Sequence, residues 1–270
     1  MRFRGLVVIG VLALLVAAPA GGRVLDVGFM DDKPGDGTPD ITRVRVGSNA
    51  TAVTFIVDLA NQTKLATDQV VVILIDSDLN LETGLNGVDT LLAMVEGEEV
   101  GVFRWNGTQF ALAESPTAYG YYHDGFRLAV ARSELALTAG TLRFVAVTFP
   151  EGTADAAPDD TFAEYVLANE ALALQIAKFT SAKTVVAGKR YTATLQARRN
   201  DLAELSSAGQ VACAAKVGAK KLKVTASFPT VLATCSGVVP KTAKGKVLKV
   251  TVTLTLDGVR VTRTASIKVK

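Results

Sequence analysis

The sequence predicts an all-β chain of two antiparallel β-sandwich domains, and three observations carry that prediction. Short runs rich in β-branched and aromatic residues recur from residue 41 to residue 269. Gly, Asn, Asp and Pro turns separate them, and no stretch keeps the 3.6-residue period of a helix. The charge also divides sharply. Residues 21–170 hold 9 Lys plus Arg against 23 Asp plus Glu, a net of −14, whereas residues 171–270 hold 18 against 3, a net of +15. Two halves of opposite sign imply two folding units and a domain contact steered by charge.

The first 20 residues have the pattern of a secretory signal: Arg2 and Arg4, an apolar run over 5–18, then Ala18-Pro19-Ala20. A membrane span needs about 20 apolar residues, so this run is too short, and no second candidate span follows. The expected mature chain is secreted or associated with the cell envelope. Residues 21–170 form its acidic domain and residues 171–270 its basic one.

In the acidic half, the segments 41–46, 52–59, 70–76, 88–95, 100–105, 108–113, 126–131, 142–149 and 163–167 read as strands. Asn106-Gly107 marks a hairpin, because a type I′ turn needs positive φ at both central residues. Residues 133–137 suit one helical turn. The segment YGYYHDG (119–125) reads as a loop. In the basic half, strands are expected over 174–179, 190–197, 210–217, 221–228, 231–237, 247–256 and 259–269. The run KVTVTLTL alternates, with Val250, Val252, Leu254 and Leu256 on one face and Lys249, Thr251, Thr253 and Thr255 on the other. The join near 168–173 lacks Pro and Gly and should be short and stiff.

Cys213 and Cys235 are the two cysteines of the chain. In an exported protein they are expected to pair, closing a loop worth about 3 kcal/mol in the chain-entropy model. Seven strands in this half, with cysteines on two of them, suggest an immunoglobulin-like sandwich pinned between its sheets.

The densest candidate chemistry follows the strand at 70–76, in IDSDLNLETGLNGVD. Asp76, Asp78 and Asn80 occupy alternate positions, Thr83 follows, and Asp89 stands where the chain returns. Hard cations such as calcium take six to eight oxygens, and side chains two apart on a tight turn can converge on one point. The loop is not an EF-hand, since Leu81 and Gly87 stand where that loop requires Gly and Glu. The competing reading is that these residues only close Asx-turns. Mutual repulsion among uncompensated carboxylates favours a structural calcium. A second acidic segment, DDKPGDGTPD (31–40), and the pair Asp159 and Asp160 are read as turn formers.

Aromatic residues supply the candidate ligand contacts. Trp105, Tyr121 and Tyr122 can stack on sugar rings, with the two tyrosines favoured because their segment reads as a loop. Strand parity puts Phe103 and Trp105 on one face, and the expectation is that this face is core. A nucleic-acid surface would set aromatics among the cations, and residues 180–270 offer only Tyr191 and Phe228, so no nucleic-acid partner is expected. His123 is the only histidine, no G-x-S-x-G elbow occurs, and both cysteines are committed, so no catalytic residues are assigned.

Three stretches together, GDGTPDITRVRV, VVVILIDSDLNLETGLNGVDTLLAM and VGVFRWNGTQF, resemble family 9 carbohydrate-binding modules and the DOMON group of sandwiches. The resemblance covers residues 24–168. It implies a non-catalytic sandwich, often with structural calcium, that binds sugars or, in some members, haem. Sugar clamps in these families use exposed aromatics, of which Trp105 is the one tryptophan here; haem ligands would be Met or His, here Met94 or His123. The second half is similar to bacterial immunoglobulin-like domains, which implies a spacer or adhesive role. The sequence thus predicts a non-catalytic binding or adhesion protein for an extracellular glycan or cell-wall polymer. Its alternatives are a structural surface protein self-associating through oppositely charged domains, and a secreted hydrolase.

Overall fold

The computed structural model describes residues 27–31, 33, 35, 39–60, 62, 64–95, 100–113, 118–122, 125–138, 140–149, 154–159, 161–202, 205–206 and 209–270. The predicted signal segment lies outside these residues, as does His123. No helix among the described residues is long and apolar enough to cross a membrane.

The first part contains β1 (Val27–Met30), β2 (Ile41–Ser48), β3 (Ala52–Leu59), β4 (Val70–Asp76), β5 (Thr90–Val95), β6 (Val100–Trp105), β7 (Phe110–Ala113), β8 (Ala118–Tyr122), β9 (Gly125–Ala131), β10 (Thr141–Phe149), β11 (Asp155–Ala157) and β12 (Ala163–Val166). They form a five-stranded sheet in the order β1-β2-β3-β9-β8 and a seven-stranded sheet in the order β11-β10-β4-β5-β6-β7, with β12 also paired to β10. Alternate residues of the two sheets meet in one core that includes Val44, Phe55, Ile73, Leu92, Phe126 and Phe144. Phe144 meets Phe55 and Phe29 edge to face, at centroid distances of 5.4 and 5.1 Å. The helical turn expected at 133–137 is a 3-10 turn at Arg132–Leu135, and Leu135 is buried in the core.

The second part contains β13 (Leu174–Ser181), β14 (Thr184–Val185), β15 (Arg190–Arg199), β16 (Gln210–Val217), β17 (Lys220–Lys221), β18 (Thr225–Ser227), β19 (Ala233–Val238), β20 (Val247–Leu256) and β21 (Val259–Val269). A four-stranded sheet, β13-β15-β19-β18, packs on a five-stranded one, β14-β21-β20-β16-β17. Cys213 on β16 is bonded to Cys235 on β19, with Cα atoms 5.6 Å apart, so the disulfide ties one sheet to the other. This is an immunoglobulin-like sandwich. Its core is separate from the first and is built on Tyr191, Leu195, Leu248, Val250, Val252 and Ile267.

Two sequence readings are corrected here. The run 221–228 is not one strand: β17 pairs with β16 in one sheet, β18 pairs with β19 in the other, and residues 222–224 carry the chain across. The segment YGYYHDG is not wholly loop, because residues 118–122 form β8. That strand is zipped to β9 with Tyr121 opposite Phe126 and Tyr122 opposite Gly125.

The segment between the cores is held from both sides. Ala50 N–H donates to Glu170 C=O at 2.9 Å, and Ala168 N–H donates to Ser48 Oγ at 2.8 Å. Asn200 accepts from Ala173 N–H at 2.8 Å and donates to Ala171 C=O at 3.0 Å. Asn49 Nδ2 donates to Asp201 Oδ2 at 2.8 Å across the join, and Arg199 Nε donates to Asp201 Oδ1 at 2.8 Å. Burial acts to raise the Asp201 pKa, but Arg199 and Asn49 outweigh it and hold the carboxyl below its ordinary range. Gly47 touches the same place: a Cβ there would lie 2.0 Å from the Asp201 carbonyl oxygen. Glycine at position 47 is therefore what lets the two backbones approach.

Candidate cation site and apolar sheet face

β4 ends at Asp76, and residues 77–89 form the loop that returns as β5. Leu79 and Asn86 adopt positive φ (62° and 56°), as do Gly84 and Gly87 (64° and 87°). At Gly84 a Cβ would sit 2.1 Å from Val88 C=O, so the loop needs glycine there for space as well as conformation. Asx-turns are present, as one sequence reading expected: Asp78 Oδ1 accepts from Asn80 N–H at 2.9 Å, and Asn80 Oδ1 from Glu82 N–H at 3.1 Å. Thr83 Oγ1 donates to the Asp78 carboxylate at 2.9 Å. Asp89 Oδ2 accepts from Ser77 N–H at 3.0 Å and Ser77 Oγ at 3.2 Å.

These turns bring carboxylates together. One oxygen from each of Asp76, Asp78 and Asp89 lies within 4.8 Å of the others. Two oxygens on opposite sides of a calcium ion at about 2.4 Å are about 4.8 Å apart, so the trio fits the span of one ion. Asp76 is fully buried, and neither of its carboxylate oxygens has a hydrogen-bond partner. Its nearest cation, Arg143 Nη1, is 3.7 Å away, and Arg143 Nε lies 3.7 Å from Glu164 as well. Burial pushes the Asp76 pKa up, the Leu79 amide and Arg143 oppose that, and Asp89 and Asp78 add to it. A buried carboxylate with no well-formed hydrogen bond, aimed at two others, is the donor set a hard cation satisfies. Asn80 is exposed and its Oδ1 is turned to Glu82 N–H.

A second trio, Asp31, Asp155 and Asp159, also converges within 4.8 Å. Sequence reasoning treated Asp31 and Asp159 as turn formers and missed Asp155, which lies 124 residues beyond Asp31 in the chain. Here the protein supplies the partners: Ile41 N–H donates to Asp155, Lys33 N–H to Asp31 at 3.0 Å, and Lys33 Nζ lies 3.6 Å from Asp159.

The aromatic residues stand differently from expectation. In β6, Val102 faces the core while Phe103 and Trp105 point to the other side of the sheet. The expectation that their shared face is core is therefore corrected. Register pairs Val145 with Leu74, Leu74 with Leu91, Leu91 with Phe103 and Phe103 with Leu112. One apolar row thus crosses β10, β4, β5, β6 and β7 on the outward face, about 19 Å long at the usual strand spacing. Leu112 is 69% exposed and the other four are half-buried. Trp105 continues this face beside Phe110, with ring centroids 5.3 Å apart.

Strand alternation puts Asp76 on that face too, two residues beyond Leu74, as Trp105 is two beyond Phe103. The cation trio therefore borders the apolar row, and the two are joined directly: Trp105 N–H donates to Asp89 C=O at 2.9 Å. Tyr121 and Tyr122 belong to the five-stranded sheet. They sit on its edge strand β8, which follows β7, the edge of the seven-stranded sheet. Met94 is buried in the core, 1% exposed.

No family model matches the chain, and no curated protein matches it. Among solved structures, the chain is similar to a chimeric titin Z1Z2 functionalized with a peptide from decorin, at 12% identity and a TM-score of 0.32. That match covers 83% of this chain and 91% of that one. Titin domains Z1Z2 in complex with telethonin match at 11% identity and a TM-score of 0.28, covering 92% and 98%. Titin A168169 matches at 8% identity and a TM-score of 0.25, covering 83% and 94%.

Proposed function

We propose that this chain is a non-catalytic, exported binding or adhesion protein. Its first sandwich is stabilised by calcium held by Asp76, Asp78 and Asp89, and takes an extracellular glycan or cell-wall polysaccharide on the Trp105 face. The observation that carries this reading is the outward apolar row Leu74, Leu91, Phe103 and Leu112, with Trp105 and Phe110 at its side. A soluble sandwich normally presents polar residues on an outward face, and a contiguous apolar surface marks a contact site. The C–H faces of pyranose rings pack on flat apolar and aromatic surfaces, which is the contact such a row offers.

The ion in this reading is structural. It offsets the mutual repulsion of three carboxylates and fixes the loop whose Asp89 carbonyl holds the Trp105 backbone. The family resemblance implies the same combination of sandwich, calcium and sugar. Screening the purified chain against a glycan array with calcium present tests it, followed by titration of the best ligand into the Trp105→Ala variant. The expected result is binding that weakens about tenfold in Trp105→Ala and also on chelation. An array without a bound glycan, or a ligand indifferent to Trp105→Ala, would overturn the reading.

A further inference from the structure

A second surface, on the basic domain, has different chemistry. Lys221 pairs with Lys216, Lys216 with Lys249 and Lys249 with Ser266, so three lysines and a serine form one cross-strand row. All four are exposed. Like charges directly opposite on neighbouring strands oppose sheet pairing, so this row costs stability unless an anion offsets it. No ion pair to these lysines is present among the described residues. Residues 171–270 contain three acidic residues, Asp201, Glu204 and Asp257. The two that are described are turned to the domain join: Asp201 bonds Asn49 and Arg199, and Asp257 lies 2.9 Å from Arg199 and 3.9 Å from Arg127.

The next rows of this face are hydroxylic. Thr251 and Thr264 are paired with Oγ1 atoms 2.9 Å apart, and Thr253 and Thr262 likewise. Between the lysine row and the sheet crossover lies a groove of about 520 Å³, lined by Lys216, Lys221, Lys249 and Thr251 above Leu222 and Val224. Among the described residues, no aromatic side chain lines it.

We infer that this lysine–threonine face of the second sandwich is a separate binding site for an anionic polysaccharide, one bearing carboxylate, sulfate or phosphate groups. The spacing carries the argument. Adjacent strands set the lysines at intervals of about 4.8 Å, so a chain laid across the strands meets successive ammonium groups, and the threonine rows offer hydroxyls to its uncharged oxygens. The lack of stacking platforms favours a sugar polymer over single-stranded nucleic acid, whose bases would need them. The site stands independently of the glycan face on the first sandwich.

Dextran sulfate is the probe, titrated into the purified full chain and compared with uncharged dextran and a thymidine oligonucleotide of matched charge. Binding of dextran sulfate alone is expected. The triple variant Lys216→Gln, Lys221→Gln, Lys249→Gln should weaken it about tenfold or more, with reduced salt sensitivity. Lys178→Gln, Lys183→Gln, Lys189→Gln removes the same charge elsewhere and should stay within about twofold of wild type. Melting curves confirm that both triples fold. Equal weakening by the two triples overturns the site, and an oligonucleotide bound as tightly as dextran sulfate overturns the polysaccharide assignment. Salt-sensitive self-association without dextran sulfate binding would overturn it too, assigning the face to the acidic half of a second copy. Binding at the Trp105 face, measured on the same triples, reports separately on the first reading.

Discussion

Asp76→Asn should change the sign of its effect when calcium is removed. Without an ion, the Asp76 carboxylate is buried, makes no well-formed hydrogen bond, and faces Asp78 and Asp89 within 4.8 Å with Arg143 at 3.7 Å. At an effective dielectric of about 20, each repulsion is about 3.5 kcal/mol and the attraction about 4.5 kcal/mol, leaving about 2.5 kcal/mol unfavourable. Asp78 and Asp89 are partly exposed, and solvent screening reduces this to about 1–2 kcal/mol. The neutral, isosteric Asn removes that cost, so in chelator the variant should melt about 3–6 °C above wild type. With calcium at about 100 times its dissociation constant, wild type gains about 2.7 kcal/mol, roughly 5–10 °C, and the variant gains little. Trp105 is the only tryptophan, and its backbone is bonded to Asp89, so its fluorescence reports the unfolding of this sandwich. Melting both proteins with calcium and with chelator is the assay. Curves that keep the same order in both conditions would refute the reasoning.

The remaining predictions concern the join and the second sandwich. Gly47→Ala should force the Asp201 backbone away and cost about 1–3 kcal/mol, seen as a larger maximum dimension in small-angle scattering and faster proteolysis at residues 167–173. Asp201→Asn should cost about 3 kcal/mol at neutral pH by breaking the buried pair with Arg199. Because the folded pKa of Asp201 lies below 3.8, its contribution is full above that value and is lost as pH falls through the folded pKa, so the wild-type and variant melting temperatures should converge in acid. Reduction of the Cys213–Cys235 disulfide should lower the stability of the second sandwich by about 3 kcal/mol, measured by denaturant unfolding with and without reductant.

Much of the strand content was legible because the periodic runs are long. The segments 52–59, 70–76, 100–105, 210–217, 247–256 and 259–269 are strands end to end. What failed depends on how neighbouring strands pair, which the composition of each run does not show. β8 exists because β9 offers it an edge, although YGYY carries a loop composition. The run 221–228 alternates without interruption, and only the positions of β16 and β19 make it change sheets at residues 222–224.

The face of β6 was misjudged because its outward residues, Phe103 and Trp105, are more apolar than the inward Val102 and Arg104. Arg104 sits inward because its guanidinium donates to Glu134 C=O at 2.7 and 2.9 Å and to the Glu134 carboxylate at 2.9 Å. The acidic trio at Asp76, Asp78 and Asp89 was legible because its members flank one loop. The trio at Asp31, Asp155 and Asp159 was not, because β2 and β11 bring distant segments together.

The most direct test of the account is a crystal grown in calcium, examined for anomalous scattering at the loop after β4. The account predicts one peak about 2.3–2.6 Å from carboxylate oxygens of Asp76, Asp78 and Asp89. A map with water or nothing among them, and the three side chains turned apart, would contradict it.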